Sequence, residues 1–174
     1  MNTHKPGSLR PRVFATALAA LGLLAAPAAA DAQVRASVFG GALHLPRDGA
    51  PSTRFVARAE ATFSLIPWLH LGAYGQALPG SANEGTGYGL GGLLAFRPLL
   101  PLTPIDPMAY ASIGYQRAPS GAALSEGAMF ELGGGLVWHA ASILDVELRG
   151  GYVGFVPREA EHGFTVAAGL SLHP

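Results

Sequence analysis

The sequence contains no cysteine and few charged residues. Without cysteine the chain can have no disulfide framework and no lipoprotein anchor, which needs a cysteine directly after the cleavage site of an export signal. Only 13% of the 174 residues are charged, against roughly 25% in ordinary soluble domains, and this argues against a typical cytosolic enzyme. Eleven basic residues balance eleven acidic ones. Because the sequence has no excess of basic residues that would attract a nucleic acid, we expect no nucleic-acid partner.

The first 32 residues have the features of a secretory signal peptide. Basic residues between Lys5 and Arg12 precede an uncharged, Ala- and Leu-rich run over 13–26, and Ala30-Asp31-Ala32 fits an A-x-A cleavage site. Cleavage after Ala30 is the alternative. An uncleaved membrane anchor is disfavoured, because the apolar run is shorter than the ~20 residues that a spanning helix needs. We therefore expect export through the general secretory pathway and a mature chain 33–174.

Long hydrophobic runs are missing from the rest of the chain. Beyond residue 33 no apolar stretch of transmembrane-helix length is free of Gly, Pro or charge. Residues 33–174 also contain no lysine, and their eight arginines and ten acidic residues give a formal net charge of 8 − 10 = −2. What recurs is alternation of apolar and polar residues, which is the period of a strand with a different solvent at each face. Eight segments show it, at 33–45, 53–65, 68–77, 86–97, 107–117, 127–139, 144–156 and 163–173.

The pattern is clearest in segments 53–65 and 144–156. In the second, Asp145, Glu147 and Arg149 share one parity while apolar residues dominate the other. An even number of such segments predicts a closed, up-and-down antiparallel barrel, which is an all-β fold. In segment 33–45 two leucines, at 43 and 45, break the alternation, so we expect a β-bulge or an early strand end there.

Parity alone does not say which face lies inside. A soluble β-sandwich or lipocalin-like barrel would turn the apolar face inward, but its outer surface would then be glycine-rich, thinly charged and free of lysine, and poorly soluble. A transmembrane barrel turns the apolar face outward and leaves no unpaired edge. On this assignment nine aromatic residues form two girdles, one of Phe55, Tyr88, Tyr115, Phe130, Tyr152 and Phe164 near the outer rim, the other of Phe63, Phe96 and Trp138 near the inner rim.

Three segments carry a resemblance to a known family. They are TGYGLGGLLAFRP at 86–98, PMAYASIGY at 107–115 and FELGGGLVW at 130–138. Over 33–174 the chain resembles the superfamily of small eight-stranded outer-membrane β-barrels, which groups the OmpA transmembrane domain with opacity-type and other porin-like proteins. The resemblance implies a place in the outer membrane of a Gram-negative cell, in contact with its lipid and lipopolysaccharide, and insertion by the outer-membrane assembly machinery. We expect a monomer.

The interior of an eight-stranded barrel is just wide enough for side chains to fill. The residues predicted to face it are Arg58, Glu60, His70, Tyr74, Arg97, Tyr110, Gln116, Glu131, Asp145, Glu147 and Arg149. Near mid-depth we expect a charge network of Arg58, Glu60, Glu131, Glu147 and Arg149, which would plug the lumen of a non-enzymatic envelope protein. The alternative is a narrow or gated pore for ions or small solutes. It would use space left by inward glycines at 87, 89, 91, 133 and 135, unless His70 and Tyr74 lie over them.

A lipid A-modifying enzyme is the third interpretation, because such enzymes use the same scaffold. His139, Ser142 and Asp145 lie close in sequence, but Ser142 falls in a predicted turn and the His-x-Ser strand motif of the deacylases is missing. The six histidines have no H-x-x-x-H spacing. We therefore predict no catalytic residue, no metal site and no cofactor.

Overall fold

The chain forms a closed barrel of eight antiparallel strands. A computed structural model describes residues 34–46, 52–80, 85–98, 100, 103–119, 126–156 and 162–173. The predicted signal peptide and large parts of the predicted long loops lie outside these ranges. The strands are β1 Val34–Leu45, β2 Ser52–Ile66, β3 Leu69–Leu78, β4 Gly87–Phe96, β5 Ile105–Arg117, β6 Gly127–Ala141, β7 Leu144–Val156 and β8 His162–Leu172.

Each strand pairs with the next in sequence, and β8 pairs back onto β1. The predicted fold class is therefore confirmed, and every predicted segment begins and ends within two residues of the observed strand. The part of the chain that the structure describes contains no helix long and apolar enough to cross a membrane. Both β1 and β8 have their chain-terminal ends at the same mouth of the barrel, which we call the terminal end; the other mouth is the loop end.

The two faces of the sheet are sorted in the opposite way to a soluble protein. Large apolar side chains lie on the outside, where Leu90 is 71% exposed, whereas charged side chains such as Glu60, 5% exposed, lie inside. Soluble domains bury the first kind and expose the second. The soluble alternative with an inward apolar face is thus wrong for the described strands, and the outward surface is suited to hydrocarbon, where closure satisfies every backbone group.

The predicted irregularity in the first strand is wrong. β1 pairs without a break with β2 along its whole length and with β8 from residue 36 to 44. Leu43 and Leu45 point into the lumen, where both are buried. They belong to an apolar cluster whose members at the loop end of the lumen also include Leu78, Met129, Val153 and Phe155. The alternation seemed broken because the inner face is itself apolar at this depth. The register shifts instead beside two turns of the terminal end, between Ser64 and Ile66 and between His139 and Ala141.

Tyrosines cover several of the lumen-side glycines. A Cβ added at Gly91 would lie 2.7 Å from Cε1 of Tyr74, and one at Gly133 would lie 2.6 Å from Cζ of Tyr110. Tyr74 therefore covers glycine as expected, whereas His70 lies opposite Ala95. The remaining inward glycines, at 87, 89 and 135, also face atoms of neighbouring strands at short range. None of the five leaves open space, because the aromatic rings and the adjacent backbone occupy it.

This packing predicts opposite effects for two neighbouring substitutions in β4. Gly91→Val would force a side chain into Tyr74 and the backbone of β5, and we expect it to lower the free energy of unfolding by about 1–3 kcal/mol, the usual cost of overpacking. Gly92→Val is the matched control. Gly92 faces outward and its added Cβ would meet only one atom, at 3.9 Å, so we expect no loss of stability. Urea unfolding in detergent, followed by tryptophan fluorescence, measures both. Equal losses in the two variants would contradict the tyrosine cover.

Candidate functional site

Charged side chains meet inside the barrel because alternate positions of three strands point inward. β7 supplies Asp145, Glu147 and Arg149, and β2 supplies Arg58 and Glu60 from the opposite wall. Glu131 projects from β6. All eleven residues predicted to face the lumen do so, and ten of them are buried, with Arg58 partly buried.

The structure brings the five predicted network residues into one connected chain of ion pairs, which we call the central network. Nη1 of Arg149 donates to both carboxylate oxygens of Glu60 at 2.8 Å, and its Nη2 donates to Oε2 of Glu147 at 2.7 Å. Nη1 of Arg58 donates to Oε2 of Glu131 at 2.6 Å, while its Nε lies 2.8 Å from Oε1 of Glu60. The order is therefore Glu131, Arg58, Glu60, Arg149, Glu147, and the chain spans the lumen from β6 through β2 to β7.

Neutral groups add hydrogen bonds and ring contacts to the central network. Oε1 of Glu131 accepts from the hydroxyls of Tyr110, at 2.7 Å, and Thr165, at 2.6 Å. The guanidinium of Arg58 lies 3.9 Å from the centre of the Tyr74 ring, and that of Arg149 lies 4.0 Å from the centre of the Phe39 ring. Each buried charge thus has an ionic partner together with polar or aromatic neighbours, as buried charges require.

A second group of charges extends the network toward the terminal end. Nη2 of Arg97 donates to Oε2 of Glu147 at 3.2 Å, and Arg35 donates to Asp145. His139 lies between two carboxylates, with Nδ1 2.8 Å from Oδ1 of Asp145 and Nε2 2.9 Å from Oδ2 of Asp106. Arg35 and Asp106 were not among the residues predicted from the sequence to face the lumen. The inward parity of Arg35 was readable from β1, but Asp106 lies before the start of the predicted strand 107–117.

The charges of these ion-paired groups nearly cancel. Four arginines, at 35, 58, 97 and 149, face five carboxylates, at 60, 106, 131, 145 and 147, which gives 4 − 5 = −1. Both ring nitrogens of His139 face carboxylate oxygens. A neutral imidazole has only one N–H to donate, whereas the imidazolium form donates to both carboxylates when these are ionised. With His139 charged, the sum is zero.

Little free volume remains around the central network. A void of about 40 Å³ lies beside Phe39, Arg58, Glu131 and Arg149. A larger cavity of about 300 Å³ opens at the terminal end, where Arg35, His70 and Arg97 line it. Toward the loop end, apolar side chains of β1, β3, β6 and β7 fill much of the interior, beside the hydrogen-bonded amides of Gln76 and Gln116. The lumen therefore changes along its length from an apolar layer, through the central network, to a polar cavity.

All nine predicted girdle residues lie on the outer surface of the barrel, and eight of them are exposed while Phe130 is half-buried. Near the loop end, the ring of Tyr152 contacts those of Phe130 and Phe164, with centroids 6.2 and 6.0 Å apart. At the terminal end, Phe96 contacts Trp68 edge-on at 5.4 Å. Trp68 was not among the predicted aromatics, because in the predicted strand 68–77 it shares the parity of the inward His70, whereas the structure places it in the turn before β3.

Solved structures with this architecture are known, although no protein-family model and no curated protein sequence matches the chain. The Neisserial surface protein A matches with a TM-score of 0.64 and 13% identity, over 84% of this chain and 99% of that one. The N-terminal β-barrel domain of Pseudomonas aeruginosa OprF matches with a TM-score of 0.57 and 12% identity, over 80% and 97%. A de novo designed transmembrane β-barrel gives 0.50 and 14%, over 82% and 95%.

At such low identities the similarity shows the fold alone. The chain has the fold of the small eight-stranded outer-membrane β-barrels, as the resemblance of its sequence implied.

The ion pairs of Arg149 predict a large loss of stability when this side chain is removed. Arg149→Ala would leave Glu60 and Glu147 facing each other in a buried site without their shared cation, and we expect the free energy of unfolding to fall by about 3–5 kcal/mol. Arg117→Ala is the matched control, since Arg117 is exposed at the loop end of β5 and its loss should change stability by less than about 0.5 kcal/mol. Urea unfolding in detergent tests both. A loss below 1 kcal/mol (on the order of a surface ion pair) for Arg149→Ala would show that water reaches the pair.

Proposed function

We propose that this protein resides in the outer membrane of a Gram-negative cell as a monomeric, non-enzymatic barrel that contributes to envelope structure, with its lumen plugged by the central network. The outward apolar surface supports contact with outer-membrane lipid and lipopolysaccharide, since exposed side chains such as Leu90 and Ile113 would be unfavourable in water. Delivery would use the predicted signal peptide 1–32 and the outer-membrane assembly machinery. The strongest support for a plug is the continuity of the ion pairs across the lumen.

Two layers in series support the plug. An ion that crossed the lumen would have to separate ion pairs such as Arg149–Glu60, whose members are 4% and 5% exposed. It would then have to pass the apolar side chains around Leu45 and Phe155, which cannot replace its hydration shell. Both steps are costly, because each leaves a charge desolvated and unpaired.

A narrow or gated pore is the alternative, and one observation favours it. The cavity of about 300 Å³ at the terminal end gives water a path to Arg97, and so to the edge of the ion pairs. Conduction would then need only the central network and the apolar layer to rearrange, for example by Arg149 exchanging one carboxylate partner for another.

The contacts of His139 weigh against the hydrolase interpretation. A general base must accept the proton of a serine hydroxyl through a free ring nitrogen. Both nitrogens of His139 already face carboxylates, at 2.8 and 2.9 Å, and Ser142 is exposed in the turn between β6 and β7. This constellation holds strands together, which supports a non-enzymatic role.

Cell fractionation tests the location. We expect the full chain, expressed in a Gram-negative host, to be found in the outer-membrane fraction and to need detergent for extraction. A chain without residues 1–32 should stay in the cytoplasm. Unboiled protein should migrate differently from boiled protein on a gel, because closed barrels resist unfolding by the detergent. Release of the full chain by osmotic shock or salt would contradict the proposal.

Single-channel recording tests the plug. We expect the barrel formed by residues 33–174, refolded in detergent and added to a planar bilayer, to give no conductance steps. Arg149→Ala and Arg58→Ala should give steps, since each removes a cation that joins two carboxylates of the central network. Arg117→Ala should stay silent. Reproducible steps from the unsubstituted barrel that shift with Arg149→Ala would favour the gated pore, and steps unaffected by either substitution would refute the plug.

A further inference from the structure

The side chain of His139 joins three strands at the terminal end of the barrel. Its Nδ1 lies 2.8 Å from Oδ1 of Asp145 on β7, and its Nε2 lies 2.9 Å from Oδ2 of Asp106 on β5. The backbone N–H of the same residue donates to the carbonyl oxygen of Pro104, just before β5, at 3.0 Å. One residue at the end of β6 therefore holds the beginnings of β5 and β7 with its ring and its backbone. We call the two ring contacts the His139 bridge.

The His139 bridge depends on the protonation state of the ring. An imidazolium donates from both nitrogens and can serve two ionised carboxylates at once, whereas a neutral imidazole donates from one nitrogen and presents a lone pair at the other. At 2.8 and 2.9 Å, a lone pair that faces a carboxylate oxygen is repulsive. Loss of one proton therefore turns one of the two attractive contacts of His139 into a repulsive one.

Both carboxylates of the bridge are held in place by groups other than His139. Arg35 on β1 donates to Asp145, and Nε2 of His173, directly after β8, lies 3.4 Å from Oδ1 of Asp145. Oδ1 of Asp106 accepts from the backbone N–H of Leu100 at 3.1 Å. Each carboxylate is therefore restrained and cannot simply turn away from a ring that has lost a proton. The other charged or titratable groups around this mouth are His70 on β3, Arg97 on β4 and Glu147 on β7.

The ring of His139 is in contact with the aqueous side. Its side chain is 36% exposed, so it can exchange protons with the surrounding water. His139 and Asp106 also form part of the wall of the cavity of about 300 Å³ that opens at the terminal end. Separation of these two side chains would therefore widen this mouth of the barrel.

We propose that the His139 bridge is a pH-dependent fastening of the terminal mouth, closed while both ring nitrogens carry a proton and broken when one proton is lost. The sign follows from the charges. A positive ring between two ionised aspartates stabilises the mouth, and this contribution disappears as the pH rises through the titration of the ring. The inference holds whether or not the barrel conducts, because the bridge lies outside the central network.

Solution NMR of the protein in uncharged detergent tests the proposal between about pH 5.5 and pH 9, a range that brackets the titration of histidine. Long-range correlation spectra report the protonation of each ring nitrogen. We expect His139 to change from imidazolium to neutral imidazole, and the protection of its backbone N–H against hydrogen exchange to fall by about tenfold or more over the same pH change, after correction for intrinsic exchange. The N–H of Leu132, in the middle of the same strand, should keep its protection.

Two variants separate the bridge from a merely structural role of these side chains. In Asp106→Asn the amide can still accept from Leu100 and can donate to an unprotonated Nε2, so the neutral ring has a partner at each nitrogen. We expect the N–H of residue 139 to stay protected up to the alkaline end of the range. His139→Gln has no titrating ring, so its protection should not change with pH even if its absolute value is lower.

Two further variants serve as controls. His44→Gln removes an exposed histidine of the loop end, and His173→Gln removes the other histidine beside Asp145. Both should keep the pH dependence at His139. A ring whose protonation does not change over the range, or protection that does not follow its titration, would overturn the proposal. So would a pH dependence that persists in folded Asp106→Asn or His139→Gln, or that disappears in His173→Gln.

Discussion

The pairing of β1 with β8 is the constraint on which the other features depend. Nine residue pairs, from Ala36–Leu172 to His44–Phe164, join the two ends of the sheet. Closure removes the free edges that an open sheet would present to lipid. It also separates an inner from an outer surface, so that each strand must serve two environments with alternate residues. The burial of Arg149 and the exposure of its neighbour Leu148 on the same strand follow directly from this division.

Closure of the barrel creates the charged interior, and burying these charges costs free energy. Moving charges such as those of Glu147 and Arg149 out of water is unfavourable, and buried ion pairs often do no more than offset this penalty. Their benefit lies in geometry. Arg58 links β2 to β6, and Arg149 links β7 to β2, so the correct register is the one in which every charge finds its partner. An interior filled only with aliphatic side chains would discriminate less between alternative registers.

Much of the fold could be predicted because a two-residue period survives in every strand. Alternation identified all eight strands and the facing of Glu60, Glu131 and Glu147. What it could not supply was contact across the barrel, since strand tilt decides which inward residues share a height. The partnership of His139 with Asp106, which is 33 residues away, was therefore invisible, and His139 was considered only beside its sequence neighbours. The apolar layer around Leu43 was missed for a related reason: a lumen was expected to be polar at every depth.

For the central network, too, the sequence predicted which residues face inward but not all of their contacts. The five residues of the central network were identified from parity and charge alone, because a buried charge needs an opposite charge nearby. The pairing of Arg35 and Arg97 with carboxylates of β7 needed coordinates, although both positions have inward parity, since strand tilt decides which inward residues share a height.

Because tyrosines pack over glycines on the neighbouring strand, the residues that can be accommodated at these positions are restricted during evolution. Tyr74 occupies the space over Gly91, and Tyr110 that over Gly133. A smaller residue at either tyrosine would open a hole in the lumen, while a larger residue at either glycine would have no room. The backbone carbonyls of Ile113 and Gly150 lie even nearer to the added Cβ positions, at 2.3 and 2.5 Å, so a smaller residue at the tyrosine would not by itself make room at the glycine. Related barrels with this packing should consequently keep the glycine of each pair more strictly than the tyrosine.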